Sequence, residues 1–162
     1  MIDLGMREFM EPQGGFLFVL EVDQRWVAHF NECSGIKNTT EIFEIQEGGL
    51  NTRTHKLPGQ TRWENIVLKY GMSNDTYMIE WRNLILSDQY NNTTEKTRRN
   101  ASIIVLDNDL AELRRFNIKN AWPVSYEGPG LNAAGSDLAI ETVEIAHEGV
   151  EVELPGQLGM LL

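Results

Sequence analysis

The chain has 162 residues, 41% hydrophobic and 23% charged, an ordinary balance for one globular domain with a core of its own. Acidic residues outnumber basic ones 24 to 14, and the formal charge of −10 argues against a nucleic-acid binder and against docking on an anionic membrane. No apolar run approaches the ~20 residues that span a bilayer, the first residues lack a secretion signal, and the single cysteine, Cys33, excludes an intrachain disulfide or a cysteine-based structural zinc site. Composition therefore reads as soluble, reduced and cytoplasmic, with no membrane anchor.

The segment up to Gln13 has no period and reads as an arm. Gly14-Gly15 lead into Phe16–Val22, short and rich in β-formers, with apolar residues on both faces, as in a strand covered on both sides. Asp23-Gln24 predicts a tight turn into a second strand, Arg25–Cys33, which Gly35 in Ser34–Asn38 breaks. Glu41–Gln46 reads as a third strand. From Glu47 to Arg62 the chain is turn-rich, with Gly48-Gly49 and Pro58-Gly59, and an irregular loop beyond ~12–15 residues is uncommon and usually functional.

Trp63–Tyr70 is the next strand, with Ile66, Leu68 and Tyr70 on one face and Asn65 and Lys69 on the other. One helix is predicted. Asn74, Asp75 and Thr76 offer capping side chains, Met78, Trp81 and Ile85 recur at i, i+3, i+7, and the end falls near Ser87-Asp88. The polar tract Asn91–Asn100 reads as a connector. Ser102–Leu106 and Leu113–Asn120 form a hairpin pattern around Asp107-Asn108-Asp109, and Glu127–Asp137 is glycine-rich connection. Leu138–Val152 fits either helix or strand and is assigned strand on Thr142, Val143 and Ile145. The sum is a mainly β fold, an antiparallel sandwich or barrel with one α-helix.

Chemistry is sparse. Cys33 and His29 share a strand face but lie roughly 13 Å apart at ~3.3 Å per residue, too far for a thiol–imidazole pair. His29, His55 and His147 fall on three separate elements without metal-ligand spacing, and no phosphate-loop motif occurs. What rises above background is charge segregation. Asn51–Arg62 carries Arg53, His55, Lys56 and Arg62 with no acid, and Lys96, Arg98 and Arg99 form a second basic cluster. Glu141, Glu144, Glu148, Glu151 and Glu153 load the C-terminal segment with acid. Either this is surface scatter, or a basic loop of one copy meets an acidic face of another.

Specific segments resemble a family in its own order. Phe16-Leu17-Phe18-Val19-Leu20-Glu21-Val22 looks like its first strand. Phe30-Asn31-Glu32-Cys33-Ser34-Gly35 resembles its F-x-E-V-S-G segment, with Cys33 in place of valine. Glu44-Ile45-Gln46-Glu47-Gly48-Gly49 followed by Lys56-Leu57-Pro58-Gly59 resembles its E-Y-R-E-G-G … K-L-P-G loop, and Ile66-Val67-Leu68-Lys69-Tyr70-Gly71 its I-T-L-K-R-G strand. Asn120-Ala121-Trp122-Pro123, Glu127-Gly128-Pro129, Leu131-Asn132-Ala133, Ala139-Ile140-Glu141-Thr142 and Ala146-His147-Glu148-Gly149 also match. The family is the tail tube proteins of contractile-tailed phages and phage-derived contractile injection systems. The departures fall at the two ends and in Asp88–Asn100.

The resemblance implies a β-sandwich or split-barrel subunit that closes into a hexameric ring, with rings stacked into a hollow tube inside a contractile sheath. Residues 1–15 become an N-terminal arm, 16–149 the tube domain and 150–162 a C-terminal tail. The loop residues Glu47, Gly48, Gly49, Arg53, Lys56, Leu57, Pro58, Gly59 and Arg62 become the subunit and ring interface. The helix residues Asp75, Glu80, Arg82 and Asn83 face outward, toward sheath. Further implied partners are baseplate or tube-initiator and terminator proteins, with DNA or protein cargo in the lumen. Assembly is cytoplasmic and precedes incorporation in the particle. No cofactor, metal or catalytic residue is implied.

Four wall strands from each of six subunits, at ~4.8 Å spacing and a tilt near 40°, give a wall roughly 45–50 Å across. Ring closure also removes the edge strands that invite uncontrolled pairing. Two other readings compete: a soluble β-barrel binder of a small ligand with the helix as its lid, and an enzyme dependent on Cys33.

Overall fold

The computed structural model describes residues 16–46, 48–49, 54–88, 97–135, 138–156 and 160–161. The expected arm up to Gly15 and residues 91–96 of the connector lie outside them. The described elements run β1 (Leu17–Val22), β2 (Arg25–Phe30), β3 (Glu32–Ser34), β4 (Asn38–Ile45), β5 (His55–Trp63), β6 (Ile66–Gly71), α1 (Tyr77–Asp88), β7 (Arg99–Leu106), β8 (Glu112–Glu127), β9 (Ile140–Ala146), β10 (Gly149–Glu153) and β11 (Met160–Leu161).

Turn chemistry sets the first hairpin. Asp23 and Gln24 take φ of 50° and 63°, the left-handed pair of a two-residue turn whose twist matches that of the strands it joins. On its other edge β1 pairs antiparallel with β7, and β7 with β8. The β7–β8 turn is held by the Asp107 carboxylate, which accepts from the Asp109 and Ala111 amides at 2.9 and 2.8 Å.

β8 organises the molecule. Its first part pairs with β7 and β10, and its second part, from Trp122 to Glu127, pairs with β9. Asn120, at φ 49°, stands where the strand passes from one sheet to the other, and asparagine tolerates that left-handed backbone. Along the strands the order is β2-β1-β7-β8-β9-β6-β3. The result is two antiparallel sheets that share β8 and do not close into a barrel.

The main core lies between these sheets: Leu20, Val22 and Ile103 from one meet Leu68, Val143 and Ile145 from the other. Met78 and Trp81 of α1 enter the same core, and Ile85 is buried beside them, as their spacing predicts. Trp81 donates from Nε1 to the Thr97 carbonyl at 2.8 Å, and the Arg99 guanidinium lies 5.6 Å from its ring. The opposite face of β1 and β7 carries a second cluster of Val19, Ile104 and Leu106. Val19 and Leu20 are both at 0% exposure, so β1 is covered on both faces as its sequence suggests.

Four expectations are corrected. Arg25–Cys33 is not one strand. At Asn31 its amide turns to the Lys69 carbonyl at 2.8 Å, and Glu32–Ser34 joins β6 in the other sheet. Glu47–Arg62 is not irregular throughout, because His55–Trp63 returns as β5 against β4, and Trp63 belongs to β5 rather than to the strand after it. The strand ending at Asn120 continues to Glu127. Leu138–Val152 is two strands, β9 and β10, broken at His147-Glu148. The lidded-barrel reading also loses its geometry: the sheets enclose packed side chains, and α1 contributes to that packing instead of covering an opening.

Candidate assembly interface

β4 and β5 form a two-stranded sheet of their own, outside the main sheet order. The chain leaves the body at Gly35, whose φ is 86°, and returns at Asn65. The root of the hairpin is tied by the Glu64 amide to the Lys37 carbonyl at 3.0 Å and by a Lys37–Glu64 ion pair at 2.9 Å. His147 Nε2 donates to the Glu64 carbonyl at 2.9 Å, and its ring meets Trp63 edge-on. Ile36, Lys37, Asn38 and Trp63 line an open groove there.

The register decides what the ribbon presents. Phe43 lies opposite Leu57 and Ile45 opposite His55 on one face. Ile42 opposite Pro58 and Glu44 opposite Lys56 share the other. A Cβ on Gly59 would stand 2.4 Å from the Phe43 ring, so the glycine makes room for that ring. Arg62 pairs with Glu41 at 3.1 Å, and Thr40 and Thr61 join their hydroxyls at 2.8 Å. Strand β4 thus returns acids to the ribbon whose second strand has none.

Among its exposed polar residues the ribbon also leaves large apolar side chains in water. Ile42 is 62% exposed and Phe43 58%, with Ile45 and Leu57 close to half exposed. These four carry the signal that charge counting missed; the run Ile42-Phe43-Glu44-Ile45, apolar toward both faces, is its mark in the sequence.

Of the expected interface residues, Lys56, Leu57, Pro58, Gly59 and Arg62 lie on β5, and Gly48 and Gly49 in the turn region beyond β4. Glu47 and Arg53 lie outside the described residues, as does Lys96 of the second basic cluster. On α1, Thr76 donates to the Glu80 carboxylate at 2.7 Å and Asp75 accepts from the Tyr77 amide at 2.9 Å, so both acids serve the helix start. Arg82 turns inward, and its Nη1 donates to the Pro123 carbonyl at 3.2 Å. Asn83 is exposed, beside the exposed Leu84.

The acidic segment is engaged inside the subunit. Glu144 accepts from Asn65 at 2.7 Å, Glu148 from Arg98 at 2.6 Å, Glu151 from Lys119 at 2.5 Å and Glu153 from Asn117 at 3.1 Å. Glu141 is buried; burial raises the phenol pKa of Tyr70 and Tyr126, and the Glu141 charge and a hydrogen bond to it raise both further. Of the basic cluster, Arg98 pairs with Glu148 and Arg99 lies over Tyr77 and Trp81.

Cys33 is half-buried against the core, and burial pushes its thiol up to about 11. His29 is exposed on β2, in the other sheet, so the pair does not share a strand. Cys33→Ala is expected to change assembly undetectably, and native protein should alkylate with iodoacetamide at pH 7.5 far more slowly than urea-unfolded protein. Equal rates in the two states contradict this account of the thiol.

Two sheets sharing a strand, plus a ribbon that pairs with no further strand among the described residues, define a β subunit with a ribbon available for association. The chain belongs to the T4-like virus tail tube protein gp19 family, whose model matches residues 14–151. It is a structural tail tube protein. No curated protein matches it. It is similar to a chain of the anti-feeding prophage cap, the AFP tube terminating cap, at 24% identity and a TM-score of 0.72, over 90% of this chain and 93% of that one. A chain of the PVC sheath-tube complex of an extracellular contractile injection system, in the extended state, is 23% identical at a TM-score of 0.71, over 95% and 99%. Hcp1 from Flavobacterium johnsoniae is 18% identical at 0.52, over 90% and 99%. These likenesses carry the fold. Among the described residues no helix is long and apolar enough to cross a membrane.

Proposed function

We propose that the chain forms the hollow inner tube of a contractile tail or injection machine. Six copies close into a ring, rings stack, and sheath contraction drives the tube through a target envelope as a rigid conduit. The observation that carries this reading is the β4–β5 ribbon. An isolated two-stranded ribbon is marginal in water, and this one exposes apolar side chains on both faces. Another subunit supplies what it lacks. Its expected contact residues are those named above on β5 and around Gly48-Gly49, with Glu47 and Arg53.

The role is mechanical and uses no catalytic residue, metal or cofactor. Residues 16–149 act as the tube body, 1–15 as an arm and 150–162 as a tail. The partners are further copies, sheath, baseplate or initiator, and terminator, and DNA or protein cargo passes through the lumen. The cap and sheath-tube complexes among the similar structures support that set. The outward side of α1, with Asn83, faces the sheath, and assembly takes place in the cytoplasm.

Light scattering on the purified chain tests ring closure. Copies of 18.5 kDa closing in sixes give about 111 kDa, whereas a single 18.5 kDa species at every concentration contradicts it. Lys56→Glu combined with Arg62→Glu is expected to weaken stacking while circular dichroism shows the fold intact. An exposed charge pair is worth only about 0.2–1 kcal/mol, but every subunit of every ring repeats it. Intact tubes of the double variant in electron micrographs refute the role of these two residues.

A further inference from the structure

The Glu64 amide and the Lys37–Glu64 ion pair join the two ends of the ribbon to each other. His147 differs from them because it reaches the ribbon root from the body. It stands at the break between β9 and β10, and its Nε2 lies 2.9 Å from the Glu64 carbonyl oxygen. A carbonyl oxygen only accepts, so Nε2 carries the proton of the neutral ring. The ring also meets Trp63, the last residue of β5, with centroids 5.6 Å apart and planes at 65°. One imidazole thus touches both residues through which β5 rejoins the body.

The second ring nitrogen stands out. Among the described residues, His147 Nδ1 is the one buried side-chain polar atom without a hydrogen-bond partner. In the neutral ring it is a bare acceptor, which is tolerable. A second proton makes it a donor with nothing to receive it and adds a charge at the same place, and both are costly away from water. The surrounding charges give little relief, because each acid is already engaged. Glu64 pairs with Lys37 and Glu41 with Arg62, while Asn65 donates to Glu144. Glu148 is held by Arg98 and Asn120, and Glu151 by Lys119.

We propose that His147 is a pH-sensitive latch on the ribbon: the neutral ring fixes the ribbon to the body, and the charged ring releases it. Imidazoles take up their second proton between about pH 5 and 8. The latched state disfavours that proton, so the latch holds at the upper end of the range and is lost as pH falls. In acid the root keeps only the packing of Ile36 and Trp63 at the margin of the core, and the ribbon swings about it. The latch is a property of the single subunit and concerns how the ribbon is aimed, whatever it meets. It rests on the tube reading only for its effect on assembly: a swinging ribbon loses more entropy when another copy fixes it.

Hydrogen exchange on separate subunits tests the latch, with β4–β5 protection factors read against those of β1 and β7. From pH 7.5 to 5.5 the wild-type ribbon is expected to lose protection about tenfold while the reference strands hold. His147→Gln keeps an N–H donor near the Nε2 position and takes up no proton, so its ribbon should stay protected at both values. His147→Ala should leave the ribbon weakly protected at both. His55, opposite Ile45 at the far end of the ribbon, and His29 on β2 are the other imidazoles. A loss that persists in His147→Gln belongs to another group and overturns the proposal. Equal wild-type protection at the two pH values, a comparison that needs no variant, also overturns it. So does an alanine variant that matches wild type at pH 7.5. In pelleting assays the assembled wild-type fraction should drop at pH 5.5, and that of His147→Gln should not. Acid brings the chain nearer its pI of 4.7, where repulsion between copies weakens, so such a drop runs against the general trend. Tubes at pH 7.5 without ribbon release in acid overturn the latch and leave the tube reading standing. Ribbon release in a protein that never assembles overturns the tube reading and leaves the latch.

Discussion

Replacing Trp81 by alanine is expected to cost the subunit about 3–5 kcal/mol, enough to take it to the edge of unfolding. The indole is 1% exposed, and it fills the space where α1 meets the two sheets. Its removal leaves a cavity bounded by two sheets that pair through β8 and cannot close independently. It also removes the indole donor from the Thr97 carbonyl and a ring from the Arg99 guanidinium. Trp81→Phe separates these terms. It keeps most of the apolar volume and loses the Nε1 bond, so about 1–2 kcal/mol is expected. Urea unfolding of disassembled subunits measures both. A loss below about 1 kcal/mol for alanine contradicts the placement of α1 in the core.

Gly35→Ala is expected to be the next most damaging single change, at about 2–4 kcal/mol. The φ of 86° is a conformation that costs an L-residue about 1–2 kcal/mol by itself. A Cβ there also falls 2.0 Å from the Asn65 carbonyl oxygen, a backbone atom with no flexible end to swing aside. Gly35 sits where the chain leaves the body for the ribbon, so the variant should lose assembly along with stability. For stability of disassembled subunits alone, Gly48→Ala is the control, because a Cβ at Gly48 meets nothing within 4 Å. Equal midpoints for the two variants in a thermal melt overturn the argument.

Local signals identified most of the elements. Met78, Trp81 and Ile85 place the helix because its buried side is a stripe of period 3.6. Asp23-Gln24 gives the first hairpin because a two-residue turn needs residues tolerant of positive φ. The missed strand, His55–Trp63, contains Pro58-Gly59, which reads as a turn. In the fold Pro58 is harmless, because among the described residues β5 pairs with β4 on one edge and with no strand on the other. Gly59 is there to accommodate the Phe43 ring, a contact across the ribbon that no window along the chain reveals. Pro123 hides the continuation of β8 in the same way: beyond Ala121 that strand has no β7 neighbour requiring its amide.

Charge was the least legible property. In sequence Asn51–Arg62 is basic and the C-terminal segment acidic. In the fold Glu41 returns to Arg62, Glu148 to Arg98 and Glu151 to Lys119, so much of the apparent segregation is neutralised within one copy. That matters for a chain of charge −10 repeated along a polymer. Pairing within a copy leaves that net charge unchanged, so apolar contact supplies the attraction that exposed ion pairs in high dielectric cannot.

The most direct measurement of the central claim is electron cryomicroscopy of the purified chain after concentration. The account predicts hollow tubes of stacked six-membered rings, with the β4–β5 ribbon of each subunit ordered against another copy and α1 on the outside. Particles that remain single subunits at every concentration, or polymers without a central bore, contradict it.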